Sequence, residues 1–211
     1  MLSEYVVSNM VLDIDLEKIR FEIDKFVSER PEDCVIQDNG NDFRIFHADK
    51  KLGENALKLY EFQKQIFRDE VNFEPGYSFL MLAKILPSST SLGSGDGWHR
   101  DSWPRNYKVF TYLSDCKNED DGPFEIIGGS SNWSEKIVSF VKNGRSRRYK
   151  EVVDTNRISI KGSAGFSFIA KTDTIHRGKP VKSKPRYMAT LYNYSGSKNY
   201  IKQKIAEYSE Q

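Results

Sequence analysis

The spacing of apolar residues divides this chain into a helical first part and a strand-rich second part. Apolar residues recur every three or four positions from residue 15 to residue 29, and Arg30-Pro31 follows, which predicts an amphipathic helix ended by a proline. The same spacing predicts a second helix over Glu54–Glu70, and a short strand around Phe43–Phe46 is predicted between the two. From Tyr77 onward the apolar residues occur in short or alternating runs, which indicate strands.

Five such runs follow the helical part, and segments rich in Gly, Ser, Asp and Lys separate them. They cover residues 77–86, 107–115, 123–129, 157–170 and 186–196. Five or more strands behind a helical layer predict a mainly β (α+β) protein, built as a sandwich or barrel with flanking N-terminal helices. We expect a single domain over 1–211, with a mostly helical layer at 1–75, a β core at 76–195 and a C-terminal tail or short helix at 196–211.

The composition is that of a soluble globular protein, with 38% hydrophobic, 29% charged and 13% aromatic residues. A net charge of +2 gives no overall field that attracts nucleic acid or an anionic membrane, and no apolar run is long enough to span a bilayer. Cys34 and Cys116 lie far apart and no signal-peptide pattern is present, so we expect free thiols and a cytoplasmic location. The expected partner is a small molecule; the oligomeric state stays open.

The segment GWHRDSW carries the first candidate site. It places His99 and Asp101 two positions apart, and on an extended segment such residues project from the same face and can approach one metal ion. On its own, the pair favours a loop in which His99 is only hydrogen-bonded.

A second histidine, His176, changes this interpretation. It ends the apolar segment FSFIAKTDTIH, and two imidazoles with one carboxylate form the facial ligand set suited to non-haem Fe(II). That set leaves three coordination positions open, two for the keto-acid end of 2-oxoglutarate and one for dioxygen. A structural zinc site would be closed by four ligands, and no Cys-rich set is present to build one. The predicted cofactors are therefore Fe(II), 2-oxoglutarate as co-substrate and O2.

Arg186 stands ten residues after His176, at the start of the strand RYMATLYNY. A planar guanidinium binds a carboxylate through two parallel hydrogen bonds, and the distal carboxylate of 2-oxoglutarate needs such a partner. The alternative is a surface charge within the lysine-rich segment that precedes the strand.

Together these segments resemble the phytanoyl-CoA dioxygenase-type members of the Fe(II)/2-oxoglutarate oxygenase superfamily. The resemblance covers roughly residues 79–194 and rests on AKILP, WHRD, YKVFTYLSD, DDGPFEIIGGS, IHRGKPV and Arg186. It implies a double-stranded β-helix, which is a jelly-roll or cupin-like barrel. It also implies that His99, Asp101 and His176 bind iron and that Arg186 binds 2-oxoglutarate. Lys84, in AKILP, falls near a polar position that faces the co-substrate in relatives, although a lysine at the rim fits the sequence as well.

Two positions depart from the pattern. Residues 129–132 read Gly-Ser-Ser-Asn where relatives often have Gly-Ser-His, and Gly178 stands where some relatives carry a hydroxyl that helps to hold 2-oxoglutarate. The second partner of the co-substrate carboxylate is therefore unassigned. Asp101 itself favours hydroxylation, because related halogenases leave that ligand position free for chloride.

The resemblance implies hydroxylation of an unactivated C–H bond in a small, anionic or sugar-type metabolite, with release of succinate and CO2. A cupin-type metal-binding isomerase or non-catalytic sensor, a protein side-chain hydroxylase and a carbohydrate-binding sandwich without chemistry remain alternatives. A nucleic-acid demethylase fits less well, because that branch has a second arginine six residues after the first and this chain has Tyr192 there.

Several other residues have two interpretations. Trp103 and Arg100 flank Asp101 and are candidates for the substrate pocket, although core packing is the alternative for Trp103. The basic stretch at 142–150 is either a solvated loop or a site for an anionic group of the substrate. His47, in RIFHADK, is interpreted as a structural or surface histidine.

Overall fold

The computed structural model describes residues 3–71, 74–150, 152 and 156–209. Within these residues the helices are α1 (Leu16–Glu29), α2 (Ala48–Lys51), α3 (Glu54–Glu70), α4 (Trp133–Asn143) and α5 (Lys198–Ser209). The strands are β1 (Tyr5–Val7), β2 (Val35–Gln37), β3 (Asp42–Phe46), β4 (Tyr77–Ile85), β5 (Ser94–His99), β6 (Tyr107–Tyr112), β7 (Phe124–Ile127), β8 (Arg157–Ile160), β9 (Ser167–Lys171), β10 (His176–Gly178) and β11 (Arg186–Tyr194).

The described strands form two antiparallel sheets. The large sheet has the order β1-β9-β6-β11-β4-β3-β2, and the small sheet has the order β5-β10-β7-β8. Aromatic and aliphatic side chains from both sheets share one buried cluster, which includes Phe110 and Phe168 of the large sheet and Phe124 and Ile126 of the small one. The two sheets therefore face each other across a common core.

Strand alternation gives the large sheet two different faces. On β4, Leu80 and Leu82 belong to the cluster that contains the buried residues of α1 and α3. Met81 and Ala83, which project from the opposite face of the same strand, line a cavity between the sheets. Helices α1 and α3 therefore cover the outer face of the large sheet, and its inner face is left to build a site.

Local sequence chemistry sets the start of the first helix. The Asp15 carboxylate accepts hydrogen bonds from the backbone N–H groups of Glu17 and Lys18, which satisfies two donors that a helix leaves unpaired at its N-terminus. Ile19, Ile23 and Phe26 are buried on one face of the helix, as the apolar spacing predicts.

The mainly β fold with two antiparallel sheets confirms the predicted fold class. The predicted helices at 15–29 and 54–70, the strand at 43–46 and a C-terminal helix are all present. Several elements were not predicted. The segment before residue 76 contributes β1, β2 and α2 as well, β5 and β10 lie in stretches interpreted as turns, and α4 has no buried residues.

Two smaller expectations concern cysteines and membranes. Cys34 and Cys116 are both free, as predicted, and Cys116 is buried. None of the described helices combines the length and the apolar character needed to cross a bilayer.

Candidate metal centre

Strand pairing places the two candidate histidines opposite each other. β5 and β10 are antiparallel neighbours, and His99 is paired directly with His176. Side chains of directly paired residues lie on the same face of a sheet, and the two imidazole rings are 4.4 Å apart between centroids. Residues that are far apart in the sequence thus form one side of a site.

Hydrogen bonds fix which ring nitrogen each histidine turns to that site. The Nδ1 atom of His99 lies 2.9 Å from the Gly97 carbonyl, and the Nδ1 atom of His176 lies 3.0 Å from the Thr174 carbonyl. A carbonyl only accepts, so each Nδ1 carries the proton and donates it. Each Nε2 is left with a free lone pair, the form in which imidazole binds a metal.

Asp101 completes the set from the loop that follows β5. Its backbone N–H donates to the Thr172 carbonyl, which fixes the loop beside the strand that leads to β10. Its carboxylate oxygens lie 3.7 Å from Nε2 of His99 and 3.8 Å from Nε2 of His176. One ligand atom from each of the three residues lies within 4.8 Å of the other two, so the structure brings the predicted triad together.

The electrostatic surroundings keep His176 and Asp101 in their metal-binding protonation states. Burial, followed by the influence of His99, lowers the pKa of His176 to about 3, so the ring is neutral at physiological pH. Burial alone would raise the pKa of Asp101, but Lys108 and the two histidines together outweigh it and hold the pKa well below its usual range. The Nζ atom of Lys108 is 2.8 Å from Asp101 Oδ2, and that oxygen accepts no hydrogen bond of good geometry.

A cavity of about 80 Å³, which we call the inner cavity, leads from the triad to Arg186. Arg186 is 2% exposed, and the described residues offer no hydrogen-bond partner to its Nε atom. Its Nη1 atom makes only a long 3.5 Å bond to the Lys179 carbonyl. A buried guanidinium with unused donors is costly unless a ligand satisfies it, so Arg186 is not the surface charge that was the alternative.

Gly178 provides the space that Arg186 occupies. A Cβ atom at this position would lie 2.7 Å from Nη2 of Arg186 and 2.7 Å from Cβ of Ser94. Any side chain here, including the hydroxyl-bearing one expected from relatives, would displace the guanidinium. The absence of a side chain at Gly178 therefore leaves the space that the Arg186 guanidinium occupies.

Sequence reasoning missed two charged residues of the inner cavity, Arg44 and Lys108. Arg44 binds Asp42 through two nitrogens and donates to Ser94, while Lys108 lies 3.6 Å from the centre of the Tyr192 ring as well as beside Asp101. Both are cations inside short apolar strands. Such a charge on a strand that is otherwise buried is the signal that could have revealed them.

Lys84 does not face the inner cavity, and its predicted contact with the co-substrate is wrong. It follows Ala83 on β4 and therefore projects from the opposite face, where its Nζ atom lies 2.6 Å from Asp24 on α1. Tyr187, its partner on β11, donates its hydroxyl hydrogen bond to the same carboxylate. The period of two along a strand decides this outcome.

A wider opening of about 1000 Å³, which we call the outer cleft, lies over His99 and Asp101. Trp103 lines it with its indole edge against Phe140 of α4. Arg100 also lines it but is 1% exposed, and its guanidinium donates to the Tyr149 hydroxyl and the Asp173 carbonyl. The Trp103 side chain therefore faces the cleft, whereas Arg100 mainly connects Tyr149 and Asp173 in the wall of the cleft.

The basic stretch at 142–150 divides into two parts. Ser146, Arg147 and Arg148 line the outer cleft, whereas Lys142 and Arg145 are exposed outside it.

The third histidine of the chain, His47, lies away from the triad and donates through Nε2 to the Tyr208 carbonyl of α5, which matches a structural role.

No protein-family model matches the chain, and no curated protein matches it. Solved structures do. The non-haem α-ketoglutarate-dependent epimerase SnoN from nogalamycin biosynthesis aligns at a TM-score of 0.64 and 14% identity, over 91% of this chain and 78% of SnoN. The chain has the double-stranded β-helix fold of such enzymes.

Two further structures share this fold. HygX from Streptomyces hygroscopicus, solved with nickel, 2-oxoglutarate and hygromycin B, has a TM-score of 0.59 and 15% identity over 91% of this chain and 83% of HygX. A Pseudomonas putida prolyl-4-hydroxylase has a TM-score of 0.59 and 11% identity over 92% and 94%. At these identities the likeness establishes the fold, and the chemistry has to be argued from the residues of this chain.

Proposed function

We propose that this protein is an Fe(II)- and 2-oxoglutarate-dependent oxygenase that hydroxylates a small molecule. The observation that carries the proposal is the inner cavity, which has the His99, Asp101 and His176 triad at one end and the unsatisfied Arg186 at the other. A metal ion and a dicarboxylate together satisfy both ends.

The donor set fits iron. Two imidazole Nε2 atoms and an ionised carboxylate are the ligands of the facial two-His-one-carboxylate site. Fe(II) bound there supplies the activation of dioxygen that is coupled to the oxidation of 2-oxoglutarate. The residues of the chain hold the metal, keep both imidazoles in one tautomer and place Lys108 against the carboxylate of Asp101.

The cavity also fits the co-substrate. The distal carboxylate of 2-oxoglutarate would accept hydrogen bonds from Arg186, and the hydroxyl of Thr190 and the guanidinium of Arg44 line the same space. These two residues are the candidates for the second partner that Gly178 cannot provide.

A small-molecule substrate and hydroxylation are the finer parts of the proposal. SnoN was solved with nogalamycin RO and HygX with hygromycin B, which supports a small-molecule substrate. The prolyl-4-hydroxylase supports a protein side chain instead. The presence of Asp101 supports hydroxylation over halogenation, while epimerisation by SnoN is an outcome that product analysis has to exclude.

The test compares Arg186→Gln on β11 with Lys84→Gln on the neighbouring strand β4. Each substitution removes one positive charge, but only Arg186 faces the inner cavity. We expect Arg186→Gln to raise the Kd for 2-oxoglutarate on the order of 100-fold, which corresponds to about 2.7 kcal/mol for a buried charged contact. Lys84→Gln should leave this Kd within about twofold, because Lys84 contacts Asp24 on the opposite face of β4 and does not reach the cavity. Calorimetry with Mn(II)-loaded protein measures both.

Activity provides the second part of the test. Wild-type protein with Fe(II) and oxygen should convert 2-oxoglutarate to succinate without added substrate, and His99→Ala should abolish this conversion. Binding of Mn(II) without any binding of 2-oxoglutarate would contradict the oxygenase and favour a cupin-type isomerase or sensor.

A further inference from the structure

The outer cleft carries an excess of positive charge beside the metal centre. Among the described residues that line it are seven arginines and lysines but only two acids, Asp101 and Glu207. This excess is local, because the whole chain has a net charge of only +2.

Some of these cations are already engaged by neighbouring groups. Arg44 is bound to Asp42, Lys108 to Asp101 and Lys204 to Glu207. Arg100 is held by Tyr149 and the Asp173 carbonyl. These side chains build the walls of the outer cleft and already have partners there.

Three arginines at the edge are paired with acids weakly or not at all, and we call Arg105, Arg147 and Arg148 the arginine rim. Arg148 also donates from Nη1 to the Gly95 carbonyl. Arg105 and Arg147 are exposed and form no salt bridge within the described residues. Arg148 lies 3.0 Å from Asp96, but the two side chains are 61% and 43% exposed. An ion pair this exposed stabilises little, so an anion of higher charge can replace Asp96 as the partner of Arg148.

The backbone fixes the arginine rim next to the metal ligands. Arg148 pairs across an isolated β-bridge with His99, and the Arg147 carbonyl accepts the hydrogen bond of the Arg100 backbone N–H. Because directly paired residues project to the same face, Arg148 starts from the face that carries the His99 imidazole. A group bound at the rim would therefore hold the rest of the molecule over the metal centre.

We propose that the arginine rim binds a phosphate group of the substrate, so that the enzyme acts on a phosphorylated ring compound. This inference rests on the proposed function and names its substrate class. A phosphate carries up to two charges and three acceptor oxygens, which suits several guanidinium groups better than a single carboxylate does. Trp103, Tyr200 and Tyr208 line the same cleft and supply the faces on which a ring packs.

The experiment measures the binding of uridine 5′-monophosphate, uridine and inorganic phosphate to protein loaded with Mn(II) and 2-oxoglutarate. Titration calorimetry first records the binding of Mn(II) and 2-oxoglutarate in each sample, so a failure of the proposed function is seen separately. We expect the nucleotide to bind at least about 10-fold more tightly than the nucleoside, because hydrogen bonds between charged groups are lost without the phosphate. Inorganic phosphate should bind more weakly than the nucleotide.

The chain offers a matched control in the same loop. Arg147→Gln and Arg145→Gln each remove one exposed positive charge, but only Arg147 lines the outer cleft. Arg147→Gln should weaken nucleotide binding about 10-fold, and Arg145→Gln should leave it unchanged.

Four outcomes would overturn the inference. Equal binding of nucleotide and nucleoside, or no binding of either phosphate compound to protein that binds Mn(II) and 2-oxoglutarate, excludes a phosphate site. Equal losses in Arg147→Gln and Arg145→Gln show a general charge effect in place of the arginine rim. If inorganic phosphate binds as tightly as the nucleotide, the ring does not contribute to binding and a phosphorylated ring compound is excluded as the substrate class.

Discussion

At the scale of single residues, the candidate site depends on where a side chain is absent as much as on where one is present. Arg186 reaches the inner cavity because Gly178 has no Cβ, and the His99 ring packs against Gly95, where a Cβ would lie 2.1 Å from Cε1. Both glycines lie beside a predicted functional residue. Both glycines let a functional side chain pack directly against the backbone. The sequence shows this only as a glycine near a motif.

Replacing Gly178 by Ala tests this argument. The new methyl group would overlap Arg186 and Ser94, and overpacking of this kind costs about 1–3 kcal/mol. We expect Gly178→Ala to weaken 2-oxoglutarate binding by about 10-fold or more, with Mn(II) binding nearly unchanged, as measured by calorimetry. Gly53→Ala is the control, because its Cβ would meet Glu22 at an ordinary 3.6 Å. Equal effects of the two substitutions would contradict the role of Gly178.

At the scale of elements, the C-terminal helix α5 packs Tyr200, Ile201 and Tyr208 against the core and is also hydrogen-bonded by a half-buried histidine. His47 donates through Nε2 to the Tyr208 carbonyl, and its Nδ1 atom has no hydrogen-bond partner among the described residues. Burial lowers the pKa of His47, because a proton on Nδ1 would bring an unsatisfied charge into this position. Tyr208 and Lys204 of α5 line the outer cleft, so this contact also supports a wall of the site.

The lowered pKa predicts how stability depends on pH. An unfolded chain protonates His47 near its usual pKa of about 6.5, whereas the folded chain resists protonation until lower pH. The contribution of His47 is therefore fully present above about pH 6.5 and is lost as the pH falls below it. His47→Asn keeps a residue that tolerates the left-handed conformation found here, with φ of 56°, and removes the titration.

We expect the difference in Tm between wild type and His47→Asn to become smaller from pH 7.5 to pH 5, as followed by circular dichroism. A difference that is constant over this range would show that the titration of His47 does not contribute.

At the scale of the whole molecule, a metal ion would connect segments that are distant in the sequence. His99 and Asp101 lie at the end of β5, and His176 begins β10. Since an unfolded chain cannot keep these ligands together, metal that binds only the folded state stabilises it.

Metal binding should therefore raise the thermal stability. At a Mn(II) concentration of about 100 times its Kd the gain is about 2.7 kcal/mol, which corresponds to a rise in Tm of roughly 5–10 °C for a chain of this size. Differential scanning calorimetry measures the shift, and EDTA should reverse it. Asp101→Asn should reduce the shift strongly, while a shift of equal size in that variant would exclude the triad as the binding site.

The main helices, most of the long strands and the identity of the candidate ligands could be predicted from the amino-acid sequence. Apolar periodicity is a local property, and it was sufficient for α1, α3, β4 and β11. The three ligand residues were recognisable because imidazole and carboxylate groups at the ends of extended segments have few other combined uses.

Which side chains face the site depends on how the strands and helices pack against each other. Whether Lys84 or Ala83 points inward depends on the face of β4 that α1 covers, and a single sequence does not show which face is covered. Arg44 and Lys108 became part of the site through strand pairing, and Arg147 and Arg148 of the arginine rim did so because their loop pairs with β5. These are non-local contacts, and their partners are set by packing between distant segments, which local periodicity does not encode.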